Sequence, residues 1–288
     1  MGPPGANRPT GAGPIGRSST VAPGPVIVVD IGNSTTSLAL IGGDRLLASA
    51  NHPTDAGNAD RVYQDWAREL MSDGGVDLAD LGGMAVACVV SAIRGPLRRL
   101  ASDLRLPLTE IRGDTSLIPV GYDEPAEMGA DRIANALGAS GRYGTPVIAV
   151  DLGTAITIEV VSAAGELVGG AIAPGVGISL GALLHRVPHL PAVALGGGGH
   201  EGPALGRSTV RSLRAGASWG AAGLVDGLVR RSQEAAGIRA CPVVATGGDA
   251  AFVAACSGTI TSVDHDLTLW GAYRGHWLAT RTSPGPEG

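Results

Sequence analysis

The chain has 288 residues, a net charge of −5, 44% hydrophobic residues and 16% charged residues. These values favour a compact α/β protein of one or two lobes, and the acidic balance argues against a nucleic-acid partner. The sequence contains no lysine, so all 21 basic residues are arginines. A Walker-type phosphate loop and a Schiff-base enzyme both require a lysine, and both classes are therefore excluded.

The two ends of the chain have compositions that are typical of disordered segments. Residues 1–24 are rich in glycine, proline and small residues, which bury too little apolar surface to offset the entropy of ordering. They lack the apolar core of a secretory signal, and Ala6 breaks the N-myristoylation pattern. We expect a disordered N-terminal extension over residues 1–24 and a flexible tail over residues 281–288.

The first predicted element is a hairpin over residues 26–41, VIVVDIGNSTTSLALI. An apolar run ends at Asp30, turns on Gly32 and resumes with alternating apolar residues, which is the pattern of two antiparallel strands. Helical spacing then predicts helices at residues 62–71 and 132–137. Between them, the apolar run MAVACVVSAI predicts a short buried strand at residues 84–93.

A second hairpin is predicted from residue 147 onward, VIAVDLGTAITIEVVSAAGELVGG, because this stretch repeats the first without a gap. The alignment pairs Asp30 with Asp151, Gly32 with Gly153, Thr36 with Thr157 and Leu46 with Leu167. Two related hairpins at this interval indicate a duplicated lobe.

The uncharged stretch at residues 167–184 is long enough to cross a bilayer, but its five glycines and Pro174 argue against a membrane span. We expect a glycine-rich loop between a strand and a helix, turning at Pro174 and Gly175. A long helix is predicted at residues 208–237 and a last strand at residues 241–250.

Three widely spaced cysteines in apolar or small-residue surroundings favour buried thiols in a reducing compartment, here the cytoplasm: Cys88, Cys241 and Cys256.

The chemistry of the chain is concentrated in its D-x-G turns. Glycine lets the backbone approach an anion, and the hydroxyls and amides that follow it donate hydrogen bonds to phosphate oxygens. Asp30 and Asp151 would repel phosphate unless a cation lay between them, so both are candidate holders of a cation. For a single D-x-G turn, a carboxylate that only caps the turn is the commoner arrangement. Two related turns and a third glycine pair, Gly247 and Gly248, favour the phosphate site.

Six segments in this order resemble the sugar kinase, Hsp70 and actin superfamily and, within it, the type III pantothenate kinases. They are DIGNSTTS (30–37), GYDEPAEMGADRIANA (121–136), DLGTAITIEVV (151–161), GGAIAPGVGISLGAL (169–183), LGRSTVRSLRAG (205–216) and VATGGDA (244–250). The resemblance implies an α/β actin-like ATPase fold, in which an ATP cleft lies between two duplicated ribonuclease-H-like lobes. The corresponding lobes would be residues 25–144 and 145–280.

The same resemblance implies ATP-dependent phosphorylation of pantothenate to 4′-phosphopantothenate, the first step of coenzyme A biosynthesis. Asp131 lies at the N-terminus of a predicted helix. From the residues alone, an ordinary first-turn aspartate and a carboxylate beside an anion site are equally expected there. The resemblance implies that Asp131 is the general base that accepts the proton of the substrate's primary hydroxyl, and that Arg132 pairs with the substrate.

The remaining site residues are also implied by the resemblance. The ATP-binding residues would be Asp30, Ile31, Gly32, Asn33, Ser34, Thr35, Thr36, Ser37 and Thr154. Substrate-binding residues would be Tyr122, Gly129, Ala130, Asp131, Arg132 and Thr209. Asp151 would bind a monovalent cation, K⁺ or NH₄⁺, and Asp30 would organise Mg²⁺. The helix that opens at Thr209 would form a homodimer interface, with the pantothenate pocket shared by two subunits.

Two other functions are compatible with the same residues. One is a non-catalytic accessory or regulatory homologue, and the other is a kinase or phosphatase of the superfamily that acts on another small substrate. The sequence departs from the family pattern at Ser34, where threonine is common, and at GRST before the long helix, where GKNT is usual. A glycine run at residues 196–202 resembles an inserted loop.

Overall fold

The computed structural model describes residues 24–114, 117–195 and 202–282. The expected extension and the inserted glycine loop lie outside this range, apart from Gly24 and Gly202. The tail expected from residue 281 is partly wrong, because the last helix continues to Thr282. No helix in the described part of the chain is long and apolar enough to cross a membrane.

The first half of the chain forms one five-stranded sheet with strand order β3-β2-β1-β4-β5. Its strands are β1 Val26–Ile31, β2 Thr35–Gly42, β3 Arg45–Pro53, β4 Gly83–Cys88 and β5 Leu108–Glu110. Its helices are α1 Ala59–Gly74, α2 Ser91–Asp103 and α3 Ala130–Tyr143. The two helices expected at residues 62–71 and 132–137 are confirmed within α1 and α3.

The second half forms another five-stranded sheet with strand order β8-β7-β6-β9-β10. Its strands are β6 Val147–Leu152, β7 Ala155–Val161, β8 Leu167–Pro174, β9 Val243–Thr246 and β10 Ser262–Val263. Its helices are α4 Val176–Arg186, α5 Thr209–Ala235, α6 Ala250–Ala254 and α7 Leu267–Thr282. In each sheet the first three strands are antiparallel neighbours and the last two add in parallel. The repeated order confirms the predicted duplicated α/β fold.

The register of the hairpins corrects the gap-free alignment. In the first hairpin Ile31 pairs with Thr36, whereas in the second Leu152 pairs with Ile156, so the second turn is one residue shorter. Turn length fixes register, and Thr157 therefore pairs with Asp151 as Ser37 pairs with Asp30. The predicted equivalence of Thr36 and Thr157 is wrong by one position.

Three predicted elements have different bounds. The strand expected at residues 84–93 ends at Cys88, and residues 91–93 begin α2, where Ile93 and Leu97 are buried at helical spacing. The glycine-rich loop expected at residues 167–184 is instead strand β8 and helix α4, although the turn between them lies at Gly175 as predicted. The glycine count was misleading because Gly170 gives room to a neighbouring strand: a Cβ there would collide with the carbonyl of Ile158.

The third correction concerns the last predicted strand, at residues 241–250. Strand β9 is shorter, Val243–Thr246, and helix α6 begins at Ala250. The glycine pair Gly247 and Gly248 therefore forms the connection between a strand and a helix. The long helix expected at residues 208–237 is confirmed as α5.

Five layers position the site. Helices α1 and α2 cover one face of the first sheet, and α5 and α6 cover the outer face of the second. The central core between the sheets joins Val28 of β1 and Ala149 of β6 to α3 and α7 through Leu137 and Tyr273. The strands divide at the boundary expected between residues 144 and 145, but α7 packs against β1 and β4 of the first sheet. The boundary itself stays a prediction.

Candidate active site

Three carboxylates converge at one end of the central layer. Side chains two residues apart on a strand point to the same face. Val28 and Ala149 lie in the core between the sheets, so Asp30 and Asp151, two residues further along, also point into that space. Asp131 lies in the first turn of α3, which occupies that space. Both strands therefore end in an acidic group that faces the same helix.

The pKa values of Asp30 and Asp151 are both raised. Burial raises the pKa of Asp30 well above its usual value, and the charges of Asp151 and Asp131 raise it further. Burial also raises the pKa of Asp151 from 3.8 to about 6, with Asp131 adding to the shift and a hydrogen bond from Asn135 opposing it. Like charges at close quarters disfavour ionisation, so a cation placed among them would be bound strongly.

The immediate contacts of Asp30 and Asp151 differ. Asn135 Nδ2 donates to Asp151 Oδ2 at 3.1 Å, and the amide is oriented by Thr268, whose Oγ1 donates to Asn135 Oδ1 at 2.7 Å. The Oδ1 atom of Asp30 is buried and has no hydrogen-bond partner among the described residues. An orphaned carboxylate oxygen in a cleft fits a metal ion or one of its bound waters. The described residues contain no group of three or more His, Cys, Asp or Glu side chains that could enclose a metal ion by themselves.

The two D-x-G turns face each other across this end of the molecule. Ser34 Oγ and Thr154 Oγ1 lie 3.1 Å apart, although 120 residues separate them in the chain. Each turn is bonded to the residue that directly follows the third strand of its own sheet. The amide of Thr54 donates to the Ser34 carbonyl at 3.1 Å, and that of Gly175 donates to the Thr154 carbonyl at 3.1 Å.

The third glycine turn lies against the second. Gly247 has φ +92°, and a Cβ there would lie 2.6 Å from Asp151 Oδ1 and 2.6 Å from the Leu152 carbonyl oxygen. The amide of Asp249 donates to that same carbonyl at 2.9 Å. Only glycine fits this close approach. The structure thus brings together the three glycine turns that the sequence singled out.

The first turn of α3 holds the predicted substrate residues. Gly129 precedes the helix, and the Arg132 amide donates to Asp131 Oδ1 at 2.8 Å. The Arg132 side chain turns inward, where Nε donates to Glu159 Oε1 at 2.7 Å and Cζ lies 5.6 Å from the ring centre of Tyr122. Ala130 is buried in the central core.

Among the remaining predicted residues, Gly32 and Ser37 are half-buried, and the others divide into two groups. Asn33, Ser34, Thr35 and Thr154 are exposed on the turns, where their polar groups are available to a ligand. The side chains of Ile31 and Thr36 are buried, and Thr36 Oγ1 lies 3.3 Å from the hydroxyl oxygen of Tyr63 in α1. Only the backbone at these two positions is left for nucleotide contact.

Thr209 is the one predicted site residue that lies apart from the others. It is exposed at the start of α5, which packs on the face of the second sheet opposite Asp131. A groove of about 370 Å³ runs between α4 and α5 and is lined mainly by apolar residues such as Leu183, Leu213 and Leu224. This groove contains no titratable side chain, so the carboxylate cluster is the candidate for the chemistry.

Two site residues were missed by the sequence analysis. Glu159 is fully buried in β7 and is bonded to Arg132; its signal was a lone charge in the apolar run TIEVV. Asn135, also fully buried, follows Asp131 by four residues and lies on the same face of α3. Periodicity could have identified both as polar groups that point into a core.

The chain is similar to known proteins over most of its length. The family model described as Type III pantothenate kinase matches residues 26–231. A type III pantothenate kinase of Roseiflexus castenholzii is 40% identical over 251 residues, covering 85% of this chain and 96% of the relative. One of Myxococcus xanthus is 37% identical over 248 residues, covering 85% of this chain and 95% of the relative.

Solved structures with lower sequence identity share the fold. Component A of (R)-2-hydroxyglutaryl-CoA dehydratase from Acidaminococcus fermentans has a TM-score of 0.53 and 12% identity, over 88% of this chain and 99% of that one. The ethanolamine utilization protein EutJ of Carboxydothermus hydrogenoformans has a TM-score of 0.50 and 14% identity, over 88% of this chain and 90% of that one. The family match covers both D-x-G turns, Asp131 and Arg132, and we conclude that the chain belongs to the type III pantothenate kinase family.

Proposed function

We propose that the carboxylate cluster is the site at which this chain transfers the γ-phosphoryl group of ATP to pantothenate. The product is 4′-phosphopantothenate, the first intermediate on the route to coenzyme A, and the reaction is a phosphotransfer to an alcohol. The observation that carries the proposal is the 3.1 Å approach of Ser34 and Thr154, with the three carboxylates at the same end of the central layer.

ATP is the phosphoryl donor of this kinase family, and a divalent metal ion accompanies it. The exposed turns supply donors for phosphate oxygens from Asn33, Ser34, Thr35 and Thr154, together with backbone amides. The backbone at Asp30, Ile31, Gly32, Thr36 and Ser37 completes the first turn. The face-to-face arrangement of the turns supports a triphosphate held from both lobes.

Two of the carboxylates fit cations. Asp30 would hold Mg²⁺, because its buried Oδ1 has no partner among the described residues and Mg²⁺ is commonly bound by one or two carboxylates together with water and substrate phosphates. Asp151, fixed by Asn135, would hold a monovalent cation, K⁺ or NH₄⁺. When bound, the metal ion supplies charge neutralisation of the transferring phosphoryl group.

Asp131 is the proposed general base. The Arg132 amide donates to its Oδ1, which leaves Oδ2 to accept the proton of the primary hydroxyl as the hydroxyl oxygen bonds to the γ-phosphorus and ADP leaves. A first-turn aspartate with only a helix-capping role is the competing interpretation. Tyr122, Gly129 and Ala130 would shape the pocket, and Arg132 would donate to the substrate.

We also propose that the enzyme is a cytoplasmic homodimer. Exposed apolar side chains on α4 and α5 flank the groove described above, including Ile178, Leu183 and Leu224. In addition, α5 lies on the face of the second sheet opposite Asp131, so Thr209 is far from the pocket of its own chain. Thr209 of one copy would therefore close the pantothenate pocket of the other copy. Burial of the apolar surface between two copies would stabilise the pair.

Purified protein with ATP, Mg²⁺ and pantothenate tests the activity. We expect turnover that falls by about 10² to 10⁴ in Asp131→Asn, with the KM for ATP nearly unchanged. The matched control is Asp73→Asn, an exposed acid at the end of α1. A wild type that is folded and binds ATP without turnover would favour a non-catalytic regulatory homologue. Turnover on another alcohol, but not on pantothenate, would favour a kinase that acts on another small substrate.

A further inference from the structure

A buried ion pair lies behind the carboxylate cluster, and its acidic member has no part in the mechanism described so far. It joins Arg132 of α3 to Glu159 of β7 at 2.7 Å, and the side chains are 9% and 0% exposed. Glu159 pairs across the sheet with Ala149, two residues before Asp151. The pair is therefore deeper in the central layer than the proposed cation site.

The pair is incompletely satisfied. Arg132 Nη2 and Glu159 Oε2 are both buried and both lack a hydrogen-bond partner among the described residues. A purely structural ion pair between an arginine and a carboxylate is commonly bidentate, with two parallel N–H···O bonds. Here Glu159 uses one oxygen to hold Nε, and a donor at the far end of the guanidinium stays free.

Two neighbours border the guanidinium. Gly170 of β8 lies beside Nη2, since a Cβ there would be 2.7 Å from that atom. The Tyr122 ring centre lies 5.6 Å from Cζ. Burial strongly disfavours an isolated carboxylate, so the position of Glu159 in an apolar strand makes sense if its charge serves Arg132.

We propose that Glu159 is a positioning residue for pantothenate binding, because it holds Arg132 by Nε so that the free Nη2 donates to an oxygen of the bound substrate. This inference rests on the proposed function. Glu159 acts through Arg132 and touches neither the substrate nor the nucleotide.

Steady-state kinetics on the purified full chain test this role. We expect Glu159→Gln, which keeps the shape and one acceptor, to raise the KM for pantothenate about tenfold, since a neutral amide oxygen holds the Arg132 guanidinium less firmly than a carboxylate does. Glu159→Met, which removes the acceptor, should raise it further, to about 100-fold. In both variants we expect kcat to change less than about threefold and the KM for ATP less than about twofold.

The control is Glu110→Gln, which removes a charge from an exposed ion pair with Arg98 elsewhere on the first sheet. We expect unchanged kinetics in this variant. A structural role for Glu159 would lower the active fraction, and hence kcat, or would raise both KM values together. Either result, or an unchanged KM for pantothenate, would overturn the inference while the wild type still turns over pantothenate. A wild type without turnover would instead overturn the proposed function.

Discussion

Ser34 Oγ and Thr154 Oγ1 lie 3.1 Å apart and join the turns of two hairpins that belong to different sheets. Both residues are exposed; Ser34 is two residues after Gly32, and Thr154 directly follows Gly153. The bond is therefore a direct measure of how closely the turns approach. It also places two hydroxyls side by side at the proposed phosphate site.

Loss of this hydroxyl pair should weaken ATP binding. We expect Ser34→Ala and Thr154→Val each to raise the KM for ATP about fivefold, because each removes a phosphate donor worth about 1 kcal/mol. The double variant should show less than the product of the two effects, since both single changes break the same bond. Steady-state kinetics with varied ATP measure this. Ser72→Ala in α1 is the control, and unaffected ATP kinetics in the single variants would contradict the phosphate assignment.

The third glycine turn should tolerate a methyl group at one position only. Gly247→Ala places a Cβ against Asp151 in a left-handed backbone conformation, and we expect a loss of about 2 to 4 kcal/mol in the free energy of unfolding. Gly248→Ala is the matched control, because nothing lies within 4 Å of a Cβ there. We expect this control to change stability by less than about 0.5 kcal/mol. Urea unfolding of the two variants checks the difference, and equal stabilities would contradict the close approach.

Asp151 should make the cation-free protein less stable as pH rises. Its pKa is raised from 3.8 to about 6, so the folded state holds the proton more tightly than the unfolded state does. Protonated Asp151 therefore contributes about 3 kcal/mol to the free energy of unfolding. This contribution is present below about pH 4 and is lost as the pH rises through 6. The raised pKa of Asp30 acts in the same direction.

Unfolding free energies of the wild type and Asp151→Asn between pH 4 and pH 7 isolate this contribution. We expect the difference between the two proteins to change by about 2 kcal/mol over that interval in cation-free buffer. Added K⁺ or Mg²⁺ with ATP should restore stability near pH 7, because a bound cation favours the ionised carboxylate. A difference that does not depend on pH would show that Asp151 ionises normally.

The apolar groove between α4 and α5 should control the oligomeric state. We expect the wild type to sediment as a dimer and Leu224→Arg to sediment as a monomer, because a charge in the interface would have to be buried unpaired. Pantothenate turnover should fall in the same variant if Thr209 of a second copy completes the pocket. The control is Leu78→Arg, an exposed leucine between α1 and β4. A monomeric wild type would exclude the shared pocket.

Much of the fold could be predicted because its signals are local. The alternation after Asp30 and Asp151 predicts two hairpins, and their similarity predicts the duplication that the strand orders confirm. Register could not be predicted in the same way, since a turn shorter by one residue leaves the hydrophobic pattern almost unchanged while shifting every pair. Strand β8 could not be recognised from its glycine-rich sequence. Its glycines make room for the neighbouring strand β7, and this contact is tertiary rather than local.

The candidate site was predictable where its residues cluster in short segments. The two D-x-G turns and the first turn of α3 are contiguous, and the structure brings them together. Glu159 and Asn135 were missed because their importance comes from partners 27 and 16 residues away in the chain. Such pairings depend on how α3 docks between the sheets, which residue patterns do not specify.

Helix α7 is the last described element of the chain, yet it packs against β1, the first. During synthesis α3 can cover only part of the inner face of the first sheet, and the rest stays uncovered until residues near 282 have left the ribosome. The first half of the chain consequently cannot complete its core ahead of the second in the usual N-to-C order. Truncation of α7 would therefore expose part of the core of the first sheet, although that sheet is formed by the first half of the chain.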